Sequence, residues 1–257
     1  MIILIAESKT MVSSETIITP EDFSRNKPIY EEKADEIMGY LGRLPIAELV
    51  EATSLSSSLA SKMQRYIYEF PNKGLGLKAI EAFTGVVFKA LDFTTLSDVA
   101  KLHCEEKVRI ISSLYGWLRP SDIVKPYRLD FKSKASPTHV ALNAFWKQNV
   151  TIALVKMLKV LGENTVLNLL PSDAAKCIDW KLVKNFCNVW KVDFVEITQN
   201  GTMKTPTASK LKTMRGTLLR QILTDDINDI ASLKTAATDH YMCEGTPVYP
   251  DRLQFIC

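Results

Sequence analysis

The run Ile2-Ile3-Leu4-Ile5-Ala6, followed at once by Glu7-Ser8-Lys9-Thr10, decides how the rest of the chain is read. It is short, rich in β-branched residues and free of polar alternation, which is the signature of a strand buried on both faces. Such a strand delivers the polar residues after it to its carboxyl end, a common place for function. A second run of this kind, Thr165-Val166-Leu167-Asn168-Leu169-Leu170, is closed by Pro171.

Working outward, 11–28 is polar and proline-containing and reads as an exposed loop. The spacing of Ile37, Leu41 and Leu44 predicts a helix between Pro28 and Pro45, and 46–52 and 55–70 predict two more. Residues 96–114 read as a helix, 116–120 as a turn, 124–131 as extended chain and 139–161 as a long helix; Val86–Leu91 fits either strand or helix. Asn200-Gly201 between two extended runs, 189–197 and 203–204, predicts a hairpin. A basic helix over 209–223 and a short C-terminal strand complete the pattern. With no internal repeat or linker, the expectation is α/β (α+β): one domain over 1–257, a mixed sheet with surrounding helices.

The chain has 257 residues, 46% hydrophobic and 24% charged, so an ordinary globular core is available and disorder is excluded. Its five cysteines are odd in number and widely spaced, without a CxxC pair, which argues against a disulfide framework or zinc knuckle and suits a reducing cytoplasm. The three histidines lack paired ligand spacing, so no metal and no cofactor are expected. The apolar start is too short for an export signal, and no run approaches a membrane span of about 20 residues. A net charge of +3 identifies no nucleic-acid binder by itself, so the distribution of charge must carry that argument.

Basic residues gather in two places, Arg119, Lys125, Arg128, Lys132 and Lys134, and then Lys204, Lys210, Lys212, Arg215 and Arg220. Each cluster is compatible with a solvated face as well as with a phosphate-binding surface. The segment Lys73-Gly74-Leu75-Gly76-Leu77-Lys78-Ala79-Ile80 fits the hairpin of a helix-hairpin-helix element, where glycines let backbone N–H groups approach a phosphate. It also fits a plain flexible helix connection, which the short pattern alone favours. Ser8 and Lys9 at the strand end have the composition of a Ser-Lys nucleophile pair, or of a lone lysine nucleophile.

Taken in order, Ser8-Lys9-Thr10-Met11, AIEAFTGVVFKAL at 79–91, LYGWLRPSDIVKPYRL at 114–129, Phe145-Trp146, Asn168-Leu169 and Arg215-Gly216 resemble the YaaA peroxide-stress family across essentially the whole chain. The resemblance implies a cytoplasmic, single-domain protein with a basic cleft, a helix-hairpin-helix element at Gly74–Ala79 and DNA as partner. It maps a strand-end lysine onto Lys9, the LRP arginine onto Arg119, the PYR pair onto Tyr127 and Arg128, and the RG arginine onto Arg215. Two positions depart from the pattern, Ala6-Glu7 where Ser-Pro or Ser-Cys is usual and Asp173-Ala174 where an acidic-Tyr pair is usual.

The leading expectation is therefore non-specific binding of duplex or branched DNA by Lys9, Lys73, Gly74, Gly76, Lys78, Arg119, Arg128, Lys204, Lys210 and Arg215, with no membrane partner. The alternative is an enzyme acting on a nucleic acid, nucleobase or nucleotide in the same cleft, with Lys9, Tyr127 and Asp173 as catalytic candidates beside Arg128. A further expectation is that Lys9, Arg119, Arg128 and Arg215 share one concave surface.

Overall fold

A computed structural model describes residues 1–12, 16–17, 19–72, 74–235, 237–238, 241–243 and 251–256. The first part of the chain forms β1 (Ile2–Ala6), β2 (Thr16–Ile17), α1 (Pro20–Arg25), α2 (Glu31–Gly42), α3 (Ile46–Thr53), α4 (Ser57–Glu69), β3 (Leu75–Lys78), α5 (Ala79–Ala82) and α6 (Val86–Leu91). There follow α7 (Asp98–Lys107), β4 (Val108–Ser112), β5 (Gly116–Leu118), β6 (Ile123–Val124), α8 (Leu142–Leu161), β7 (Thr165–Asn168), α9 (Ser172–Ala175) and α10 (Trp180–Val183). The last part is β8 (Asn188–Ile197), β9 (Met203–Lys204), α11 (Ala208–Thr224), α12 (Ile230–Lys234), β10 (Ala237–Thr238), β11 (Tyr241–Cys243) and β12 (Arg252–Ile256).

β1 sits in the middle of a mixed sheet, parallel to β4 on one side and to β7 on the other. The parallel run continues from β7 to β8 and from β8 to β12, while β5, β9, β10 and β11 add antiparallel edges. The order is β10-β11-β12-β8-β7-β1-β4-β5, with β9 on β8. Side chains Ile2, Ile3, Leu4 and Ile5 are at most 1% exposed, each contributing roughly 1.5–3 kcal/mol by burial. One contiguous buried cluster runs from Met1 to Phe255, so the α/β single-domain expectation holds.

From β1 the chain first builds outward through β4 and β5, then returns to β1's other side for β7 and β8. The strand order reverses at β1, and the carboxyl ends of β1 and β7 flank the point of reversal. In doubly wound sheets the connections diverge at such a point and leave a crevice there.

Several local expectations are corrected. The stretch 96–114 is not one helix: α7 ends at Lys107 and Val108–Ser112 is a central strand, a change unmarked by glycine or proline but favoured by the β-branched Val108, Ile110 and Ile111. The turn at 116–120 contains β5, and its Gly116 has φ +70°; a Cβ there would lie 2.4 Å from Cε3 of Trp146. Val86–Leu91 is a helix.

Among the described residues 74–80 the helix-hairpin-helix element is not confirmed. Leu75–Lys78 is a strand, antiparallel to both β2 and β6, so its backbone groups serve a small three-stranded sheet. Gly76 is glycine because a Cβ would lie 2.5 Å from Cγ2 of Ile123 and 3.2 Å from the Val124 carbonyl oxygen. Gly74 is exposed, its N–H donating to Oδ1 of Asn72 at 3.1 Å; Lys73 lies outside the described residues. Gly76→Ala is expected to destabilise the protein by about 1–3 kcal/mol through overpacking, read by denaturant unfolding, whereas Gly74→Ala is expected to stay within about 0.5 kcal/mol. Equal midpoints for the two variants would refute the packing role of Gly76.

Candidate functional site

At the carboxyl end of β1, the Glu7 N–H donates to the Ile111 carbonyl at 2.9 Å, extending the β1–β4 ladder by one residue before the chain turns out at Ser8. The outgoing segment is held against the start of α6. Thr84 N–H donates to the Thr10 carbonyl at 3.0 Å, and Gly85 approaches so closely that a Cβ there would stand 2.1 Å from Ser8 Oγ. On the far side α11 lies on α6, with Gly216 so near that a Cβ would be 2.2 Å from the Val87 carbonyl oxygen. The Arg-Gly pair thus has a mechanical meaning, since the glycine brings the helices together and sets Arg215 at the rim.

These elements enclose a cavity of about 430 Å³. Its walls are apolar, including Ile5, Val87, Phe88, Phe131 and Leu169, and its polar groups are Glu7, Ser8, Lys9, Thr10, Asp130, Asp173, Lys212 and Arg215. The volume lies within the range of about 300–1,000 Å³ common for small-molecule sites, and so does the pattern of a few polar groups on an apolar wall.

Lys9 ion-pairs with Asp130, and the Arg128 guanidinium donates to the Lys9 carbonyl. Ser8 Oγ is engaged by Thr10, accepting its N–H at 3.1 Å, so no Ser-Lys pair is assembled. Burial alone would raise the Asp130 carboxyl; Lys9 and the Lys132 N–H outweigh it and hold the group below its usual range. Asp173 accepts the Ala174 N–H at 3.0 Å. Among the described residues the Arg215 guanidinium has no hydrogen bond or ion pair; burial depresses its pKa, and the charges of Asp173 and Asp193 act in the opposite direction.

The other basic candidates are placed elsewhere. Arg119 closes on buried Asp122, Nε to Oδ1 at 2.8 Å, and also donates to the Arg25 carbonyl at 3.1 Å, so it does not line the cavity with Lys9 and Arg215. Lys125 is buried and donates to the carbonyls of Phe70 and Asn72. Lys204 and Lys210 both hold Glu196, at 3.2 and 2.5 Å, and line a separate, more open concavity of about 500 Å³ beside the β8–β9 hairpin. Lys78 is exposed at the end of β3, outside the cavity lining.

Tyr127 is buried behind the cavity floor rather than lining it, its hydroxyl shared between Ser112 Oγ at 2.7 Å and the Glu7 carboxylate. Glu7, not a candidate from sequence, proves central. Its carboxylate accepts the Ser113 N–H at 2.9 Å, the Ser113 hydroxyl at 2.5 Å and the Tyr127 hydroxyl. Burial pushes its pKa up to about 7 despite these donors, and burial followed by the Glu7 charge lifts the Tyr127 phenol well above its ordinary value.

Because the folded value exceeds the unfolded one, the native state holds the Glu7 proton more tightly, and this group's contribution to stability is lost as pH rises from about 4.5 to about 7. Glu7→Gln is expected to be more stable than the parent by about 1–3 kcal/mol at about pH 8, with the gain vanishing towards about pH 4. Unfolding curves across that range check it, and a pH-independent difference would refute the buried-acid assignment.

Residues 1–246 match the family model described as peroxide stress protein YaaA. A UPF0246 protein of Parabacteroides distasonis is 32% identical over 236 residues, covering 91% of this chain and 91% of the relative. UPF0246 proteins of Alteromonas mediterranea, 28% identical over 246 residues with 94% and 92% covered, and of Crocosphaera subtropica, 29% identical over 235 residues with 91% of each, are also similar. Matched over nearly its whole length, the chain belongs to the peroxide stress protein YaaA family.

Proposed function

We propose that this protein serves the peroxide response by binding nucleic acid, DNA before RNA, with one nucleotide unit lodged in the cavity at the β1–β7 reversal. The observation that carries the reading is convergence. Lys9, Asp173 and Arg215 come from three distant parts of the chain and line a single cavity, with Arg128 joined to it through the Lys9 carbonyl. Arg215 and Lys212 supply cationic groups for phosphate, and the apolar wall suits the face of a base. Lodging a base in a pocket requires unstacking it, which costs a few kcal/mol and favours single-stranded or already distorted substrates.

Turnover on the lodged nucleotide is the second reading. It is favoured by the presence of two carboxyls, Glu7 and Asp130, in contrasting environments on the same cavity, beside the Lys9 ammonium. A cytoplasmic location accords with Cys104, Cys177 and Cys187 being free thiols.

Fluorescence anisotropy with a labelled single-stranded oligonucleotide tests the binding reading. Arg215→Ala and Lys212→Ala are each expected to weaken binding and to reduce the salt slope by about one for each phosphate they cease to neutralise. Lys204→Gln and Lys210→Gln, in the separate concavity, are expected to leave both unchanged. Undiminished affinity in Arg215→Ala would overturn the assignment of the cavity.

A further inference from the structure

The two carboxylate oxygens of Glu7 are unequally occupied. A carboxylate offers about four lone-pair sites. Oε2 takes the Ser113 N–H and the Tyr127 hydroxyl, whereas Oε1 takes the Ser113 hydroxyl, so Oε1 is the oxygen with room for a further partner. A proton on Oε1 leaves Oε2 able to accept both the Ser113 N–H and the Tyr127 hydroxyl, so that is the oxygen on which protonation disturbs no existing bond. Glu7 also lines the cavity, at the end of β1, while Arg215 and Lys212 come from α11.

We propose that Glu7 binds as a neutral acid, donating a hydrogen bond from Oε1 to an acceptor atom on the base of a nucleotide whose phosphate is held by Arg215. This rests on the nucleotide reading above and adds the group that meets the base. The physical case is electrostatic as well as geometric. An incoming phosphodiester brings a negative charge into a cavity that already holds Asp130 and Asp173, and it excludes water from Glu7, so both effects favour the uncharged acid. Ligand binding therefore takes up a proton when the free protein's Glu7 is ionised.

The surrounding groups leave that proton to Glu7. Tyr127, from the chain after β6, has its phenol lifted well above the ordinary range, and Cys177, beyond α9, has its thiol pushed up by burial and by the charges of Glu7 and Asp173. At the rim Asp130 is held below its usual range by Lys9 and Lys132 against the effect of burial, and Arg215 stays cationic. Lys9, Lys212 and Asp173 also face the cavity, and a probe with phosphates but no bases reports any titration of theirs.

The experiment compares a deoxyadenosine tetranucleotide without terminal phosphates with its abasic analogue, whose diester phosphates are the same and keep their charge across the neutral and mildly alkaline range. With the parent protein, affinity for the adenine probe is expected to hold below about pH 7 and to fall by up to about ten-fold per pH unit above it. The abasic probe is expected to bind more weakly and with a flat profile. Glu7→Gln presents an amide N–H where the acid presents O–H, so it is expected to flatten the adenine profile and to bind more tightly than the parent at about pH 9. Titration calorimetry of the parent in buffers of different ionisation enthalpy is expected to show proton uptake approaching one per ligand at about pH 8. Arg215-dependent binding with a flat parent profile, or a Glu7→Gln profile like the parent's, would overturn the role of Glu7 and leave the nucleotide reading standing. Absence of binding by either protein at every pH would overturn both.

Discussion

β1 is the constraint on which the site depends. Its side chains from Ile2 to Ile5 have essentially no exposure and its backbone is paired on both sides, so the chain can admit polar residues only where the strand ends. There the neighbouring connections part company, one set leading to β4 and the other to β7. The resulting gap is roofed by two approaches too close for a Cβ, Gly85 on Ser8 and Gly216 on Val87. Glycine at these positions fixes the distance between α6, α11 and the end of β1, so the cavity is a product of backbone packing rather than of side-chain choice.

Charge is rationed by the same architecture. Arg119 is committed to Asp122, Lys125 to two carbonyl oxygens, Arg220 to the Leu91 and Asp92 carbonyls, and Lys204 and Lys210 to Glu196. A protein of net charge +3 has little long-range field to offer a polyanion, so the groups left without internal partners matter most. Among the described residues Arg215 is such a group, and it stands at the rim of the cavity.

The fold is legible in the sequence where one kind of residue fills a segment. Ile2–Ala6, Thr165–Asn168 and the Asn200-Gly201 hairpin declare themselves because burial on both faces, or a turn needing positive φ, admits few residues. β4 is hidden because α7 runs into it without punctuation, and the Gly74-Gly76 motif misleads because a glycine hemmed in by Ile123 looks in sequence like one cleared for a phosphate. Of the site, Lys9, Asp173 and Arg215 are readable as strand-end and motif residues. Glu7 stands out only as a departure from the family pattern, since nothing local signals that Ser113 in the β4–β5 turn and Tyr127 after β6, more than a hundred residues away, will supply its donors. Asp130 is invisible for the same reason: its partner Lys9 lies 121 positions earlier.

The two carboxyls at the cavity illustrate how one fold separates acid from base. Asp130 is partly exposed and faces an ammonium, so it remains ionised; Glu7 is enclosed and faces neutral hydroxyls, so it is poised near neutrality. The Lys9–Asp130 pair is itself open to solvent on the lysine side, and exposed pairs of this kind contribute only about 0–1 kcal/mol. An incoming anion can therefore draw Lys9 away from Asp130 at little cost, whereas displacing Tyr127 or Ser113 from Glu7 would leave buried polar groups without partners. The rim is exchangeable and the floor is fixed, the arrangement required of a site that captures a ligand by its charge and orients it by a single hydrogen bond.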